Sequence, residues 1–172
     1  DEWRESCKEG GTFADTFRVP QRGHEKRESA MRSMIIYPMN ALVEDQLTRL
    51  RAALDSDQAR DWCDENLDGN RIYFGRYNGN TPVPGQEWRQ NENLNYSKVD
   101  DLRQELKEAE RAAKKAEKYA RETGKRKDKF FFPRLDGAEM RSRWDMQEAP
   151  PDILITNFSM LSIMLMRDVE RG

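Results

Sequence analysis

One histidine, His24, and two cysteines, Cys7 and Cys63, are all the imidazole and thiol in 172 residues. The cysteines lie far apart and spell neither a disulfide framework nor a zinc site, which points to a reducing cytoplasm. No apolar run approaches the roughly 20 residues of a membrane span, and no signal-peptide pattern is visible. A membrane is therefore not an expected partner. Apolar residues are themselves scarce: 36% of the chain is hydrophobic and 36% charged, with a mean hydropathy of −1.04. That is apolar-poor for a compact domain, so part of the chain reads as solvated insertion. An excess of positive charge is missing too. At a net −2, any nucleic-acid contact must come from local patches and backbone N–H groups. The ends, Asp1-Glu2-Trp3 and Glu170-Arg171-Gly172, read as places where a longer chain is cut or where order begins and ends.

What is present centres on Met34 to Gln46. Met34-Ile35-Ile36-Tyr37 is a short β-favouring run closed by Pro38, which has no N–H for a ladder. Asn40 has the side chain of a helix cap, and Leu42, Leu47, Leu50 and Leu54 recur at helical spacing. The expected unit is strand, polar turn, helix. In an open α/β sheet such a turn lies at the carboxyl ends of the strands, where ligands bind, and free helix N–H groups suit phosphate oxygens. A plain βα connection has the same pattern.

Residues 1–30 read as a polar, basic-leaning loop carrying Arg18, Arg22, Lys26 and Arg27, solvated in preference to phosphate-contacting. Ser56 opens a second short helix, and Arg71 to Tyr77 forms a strand. Asn78-Gly79 is the strongest turn signal in the chain. No partner strand follows, so the alternative is a loop in which Gly79 permits close backbone approach and Thr81 donates. Leu102, Leu106, Ala109, Ala113, Ala116 and Ala120 then form one narrow stripe on a long helix ending at Gly124. This charged arm is either an unpartnered insertion or a docking or nucleic-acid-guiding element. Lys125 to Lys129 followed by Phe130-Phe131-Phe132 could bind phosphates and stack on bases. The favoured expectation returns the phenylalanines to the core, because exposed they would promote aggregation. Glu139 to Met146 has helical character, Asp152 to Thr156 is a buried-type strand, and Ser159 can cap a last helix faced by Met160, Leu161, Ile163, Met164 and Leu165.

The run Tyr37-Pro38-Met39-Asn40-Ala41-Leu42, followed by Asp45-Gln46, resembles the motif Ia region of superfamily 2 DEAD/DEAH-box DNA helicases of the YPMNAL branch. Tyr77-Asn78-Gly79-Asn80-Thr81-Pro82 is similar to their motif Ib-type block. Pro151-Asp152-Ile153-Leu154-Ile155-Thr156-Asn157 with Met160-Leu161 is similar to their Thr-Asn block. Gly69 to Tyr77 further resembles the helicase component of DISARM-type phage defence. The resemblance implies an α/β fold: a partial RecA-like parallel-sheet motor domain in residues 1–85 and 137–172, interrupted by a charged helical insertion at 86–136. It implies an ATP-dependent DNA helicase or translocase whose nucleic-acid contacts include Pro38, Met39, Asn40, Gln46, Gly79, Thr81, Thr156 and Asn157. The expected partner is DNA, a single strand or a duplex with a single-stranded end.

The chain has no G-x-x-x-x-G-K-[ST] phosphate loop and no DEAD or DEAH box. The ligands of ATP and Mg are therefore expected outside it, in the full-length protein, and no catalytic residue is assigned. From the residues alone, the three polar turns after 34–37, 71–77 and 152–156 should gather on one side of a parallel sheet. They would position a sugar-phosphate backbone without reading sequence. The competing reading is a non-catalytic module that docks a protein partner through residues 97–124.

Overall fold

A computed structural model describes residues 21–38, 41–88 and 94–166. Three parallel strands form the sheet: β1 (Ser33–Tyr37), β2 (Phe74–Tyr77) and β3 (Ile153–Asn157), in the order β1-β3-β2. The last strand in sequence is thus the central one. Its Ile-Leu-Ile-Thr run suits a strand covered on both faces, and Leu154, Ile155 and Thr156 are buried. Beyond β2 the chain returns alongside Phe74, whose N–H donates to Ala138 O while Met140 N–H donates to Phe74 O. Residues 139–140 therefore extend the sheet, and the helix expected from Glu139 begins only at Arg143.

Helix α1 (Ala41–Leu54) follows β1 and α2 (Asp57–Asn66) follows α1. The core face of α1 is Val43, Leu47, Leu50 and Leu54, while Leu42 is exposed. The expected stripe was one residue off at its start, because the i, i+4, i+7, i+11 row runs from Val43. Asn40, the expected cap, lies outside the described residues. Ser56 does cap α2, accepting from Ala59 N–H at 3.3 Å. Strand β2 is shorter than the expected 71–77 because side chains take the upstream donors. Arg71 N–H donates to Glu25 and Tyr73 N–H to Asp152.

The insertion is a 28-residue helix, α3 (Tyr96–Thr123), stopped by Gly124 at φ 72°. That left-handed stop is the one expected. Asn95 holds its N-cap position, without a side-chain capping hydrogen bond. Ion pairs Glu110–Lys114 and Glu117–Arg121 line its outer surface. Val99 and Leu102 join Val83, Leu94 and Trp144 in a second small core. Ala116 and Ala120 are buried beside a 3₁₀ turn, Arg126–Phe131. Here the expectation fails: Phe131 and Phe132 stay exposed, and Phe130 is half-buried.

Ser142 caps the short α4 (Arg143–Glu148). The final helix α5 (Phe158–Met166) is capped by Asn157, not Ser159, with Met160 N–H donating to Asn157 Oδ1 at 2.7 Å. Met160 and Met164 pack on the core, but Ile163 and Leu165 are exposed, contrary to the expected buried face.

The arginines of residues 21–32 are tied into the fold, Arg22 buried, Arg27 partly buried and Arg32 half exposed. They converge on Asp152 at the amino end of β3. Arg27 donates to its carboxylate at 2.6 Å, Arg32 pairs with its other oxygen, and Arg22 lies 3.7 Å away. Burial pushes the neighbouring Tyr73 phenol up to about 12.

Candidate nucleic-acid interface

Parallel pairing aligns the carboxyl ends of the three strands. Tyr37 pairs with Asn157 and Tyr77 with Thr156. The turns after β1, β2 and β3 therefore leave the sheet side by side, as in α/β proteins that bind ligands at this end.

The best-defined of them is the loop Asn78–Gly85. Asn78 is buried; its Oδ1 accepts from Asn80 N–H at 2.9 Å, forming an Asx turn. Thr81 is buried as well. Its hydroxyl donates to Arg76 O at 2.8 Å and accepts from Asn78 N–H at 3.0 Å, so it closes the loop from inside. Thr156 Oγ1 donates to Tyr77 O at 2.7 Å and locks the end of β2 to β3. Asn157 spends its side-chain oxygen on α5. Tyr37 OH donates to Gln46 Oε1 at 3.1 Å, which ties β1 to α1.

The eight candidate residues thus divide. Pro38 and Gly79 are exposed on this end. Gln46, Thr81, Thr156 and Asn157 hold the turns in place by internal hydrogen bonds. Met39 and Asn40 lie outside the described residues. What the end offers to a ligand is exposed Gly79 and Asn80, with open space around Gly79: a Cβ there would meet nothing within 4 Å.

Two residues that the sequence reading did not single out brace the loop. Arg143, buried at the start of α4, donates from Nη2 to Asn78 O at 2.6 Å, and its guanidinium sits 5.0 Å over the Tyr77 ring. Trp144 Nε1 donates to Gly85 O at 2.9 Å. Between these anchors Val83 adopts φ 52°, a left-handed conformation unusual for a β-branched residue. Its burial against Leu94, Val99, Leu102 and Trp144 maintains it, at a cost of about 1–3 kcal/mol. Ser142, with Asp145 three residues on, is a recognisable capping signal that would have located this brace.

Elsewhere, Asp55 is buried beneath the Gly137–Ala138 backbone and accepts from Ala138 N–H at 3.2 Å. Burial raises its carboxyl to about 6, against the smaller opposing effects of that hydrogen bond and of Arg60 and Arg134. Hydrogen bonds from Lys129 and Arg134 hold Asp57 below the usual carboxylate range. Among the described residues no group of three or more His, Cys, Asp and Glu side chains could hold a metal ion. No described helix is long and apolar enough to cross a membrane.

The fold and its aligned turns define a mixed α/β chain built on a small parallel sheet. No protein-family model matches it, and no solved structure matches it. Among curated proteins it is similar to Druantia protein DruE of Escherichia coli (strain UMEA 4076-1). Identity is 32% over 176 aligned residues, covering 82% of this chain and 9% of that protein. The chain thus spans a small part of the relative's length.

Proposed function

We propose that this chain is the backbone-contacting part of an ATP-dependent DNA helicase or translocase in bacterial phage defence. In this reading it forms the middle of a RecA-like motor domain, with the residues that bind ATP and Mg lying elsewhere in the full-length protein. The observation that carries the reading is the register that brings the turns after β1, β2 and β3 to one end of the sheet. The likeness to Druantia protein DruE supports the defence role.

In mechanism, Thr81, Thr156 and Arg143 act as positioning residues. They fix the Asn78–Gly85 loop so that exposed backbone near Gly79 and Asn80 can approach phosphate oxygens. Contacts to phosphate position a strand without reading bases, which suits a translocating protein. The absence of a long side chain at Gly79 keeps the approach close.

The test places negative charge on that surface. In the full-length protein, Gly79→Asp with Asn80→Asp should lower single-stranded DNA affinity about tenfold and reduce DNA-stimulated ATPase accordingly. Gly79 lacks a positive φ and has space for a side chain, so the fold should tolerate the change. Wild-type binding should also weaken steeply with salt. Unchanged affinity and ATPase in the double variant would sink the proposal.

A further inference from the structure

The 3₁₀ turn Arg126–Phe131 and the outer half of α3 enclose an open groove of about 610 Å³. Tyr119, Phe131 and Phe132 line it and are 48%, 60% and 41% exposed, with Ala112 and Ala116 between them. This exposure belongs to a pinned backbone. Arg51 Nη1 donates to Phe131 O at 3.0 Å and Phe130 O at 3.3 Å. The same guanidinium is clamped by both carboxylate oxygens of buried Glu139, at 2.5 and 2.9 Å. Lys129 donates to Asp57 at 2.9 Å and lies 5.2 Å over the Phe130 ring. Three rings are thus held at the surface, where exposed aromatic area has a purpose or a cost.

The charge around them is distinctive. Residues 111–132 contain nine lysines and arginines against three acidic residues, in a chain whose net charge is −2. Lys114, Lys118, Arg121 and Lys129 are engaged in ion pairs. Arg111, Lys115, Lys125, Arg126 and Lys127 make none among the described residues. Glu108 and Asp128 are the carboxylates at the groove wall. Flat aromatic faces surrounded by unpaired cations complement a polyanion with flat faces of its own. In duplex the bases are already stacked on one another, so the matching form is single-stranded.

We infer that the Tyr119–Phe131–Phe132 groove is a second nucleic-acid site, stacking unpaired bases of a single strand whose phosphates meet Arg111, Lys115 and Lys125 to Lys127. It stands apart from the proposed sheet-end track and does not rest on it. Aromatic stacking is tolerant of base identity, and the surrounding cations follow the backbone.

The test compares an oligothymidylate with an abasic deoxyribose-phosphate strand of equal length on the full-length protein. The wild type should prefer the base-bearing strand, and Phe131→Ala with Phe132→Ala should cost about tenfold on that strand alone. Lys125→Ala with Lys127→Ala should weaken both strands and flatten the salt dependence by between one and two counterions. A bromodeoxyuridine strand should photo-crosslink to the Tyr119 or Phe131–Phe132 peptides. A failed sheet-end track would leave the base preference intact, so the two readings fail separately. Equal binding of both strands by the wild type, or a preference that survives in the phenylalanine variant, would overturn the inference. So would a protein partner covering the groove while crosslinks fall only elsewhere.

Discussion

The two ends of the same sheet solve the problem of finishing a strand in opposite ways. At the amino end, Asp152 draws in Arg22, Arg27 and Arg32 and accepts from Tyr73 N–H, so full charges are neutralised internally. At the carboxyl end the bracing side chains nearest the strands are neutral: Thr81, Thr156, Asn78 and Asn157. The charged brace of the loop, Arg143, is buried and spends Nη2 on a carbonyl. The neutral braces add no carboxylate of their own to repel an approaching phosphate, although Glu44 of α1 pairs with Arg76 of β2 at this end. The comparison teaches that a run of basic residues in this chain does not by itself mark a ligand surface. Those at residues 22–32 serve the fold, while the proposed track has no exposed cation of its own among Asn78–Gly85.

The largest effect should come from breaking the charged end. Asp152→Ala leaves Arg22 without one of its two nearby carboxylates and Tyr73 N–H unpaired. It should lower stability by about 3 kcal/mol or more, read from the urea midpoint. Arg32 is half exposed and should contribute little to that loss. At the neutral end, Thr156→Val keeps the shape but strips a hydrogen bond from Tyr77 O, costing about 1–2 kcal/mol, while Thr156→Ser should retain most of it. A loss at Thr156 as large as that at Asp152 would erase the distinction.

A third effect is expressed in pH. Burial raises the folded carboxyl of Asp55 to about 6, above the ordinary aspartate value of 3.8. The native state therefore holds this proton more tightly than the unfolded chain, and this group's contribution to stability falls as pH rises from 3.8 through about 6. Asp55→Asn should remove that part of the slope in unfolding free energy between these limits. Asp57 works in the opposite sense at lower pH, because its depressed carboxyl loses its stabilising partners as it protonates. A slope unchanged in Asp55→Asn would count against the assignment. The smallest stability effect belongs to Gly79→Asp with Asn80→Asp, within about 0.5 kcal/mol since both positions are exposed. Its DNA affinity and DNA-stimulated ATPase should move instead.

Much of the architecture was legible because it is local. The strand–turn–helix after Met34, the Ser56 cap and the Gly124 stop each depend on residues a few positions apart. The convergence of three turns was legible too, since the strands of one parallel sheet share a carboxyl end. What escaped was decided at long range. Phe131 and Phe132 stay outside in a turn whose Phe130 and Phe131 carbonyls are held against α1 by Arg51, some 80 residues earlier. Glu139 leaves the helical pattern because its neighbours pair with Phe74 and its carboxylate is claimed by the same arginine. The roles of Thr81 and Thr156 were ambiguous for a related reason. A hydroxyl beside a turn can face a ligand or its own backbone, and only the packed loop decides which.

The strand order carries a consequence for biosynthesis. The outer strands β1 and β2 emerge first, yet neither is the other's neighbour; each pairs with β3, which begins at residue 153. The ribosome must therefore deliver the whole of α3 and the aromatic turn before the sheet can close. Until then two unpaired β edges and the apolar core residues Phe74 and Val43 await a partner, the condition in which nascent chains aggregate. The long helix forms from local contacts alone, so it can be complete before the sheet it interrupts exists.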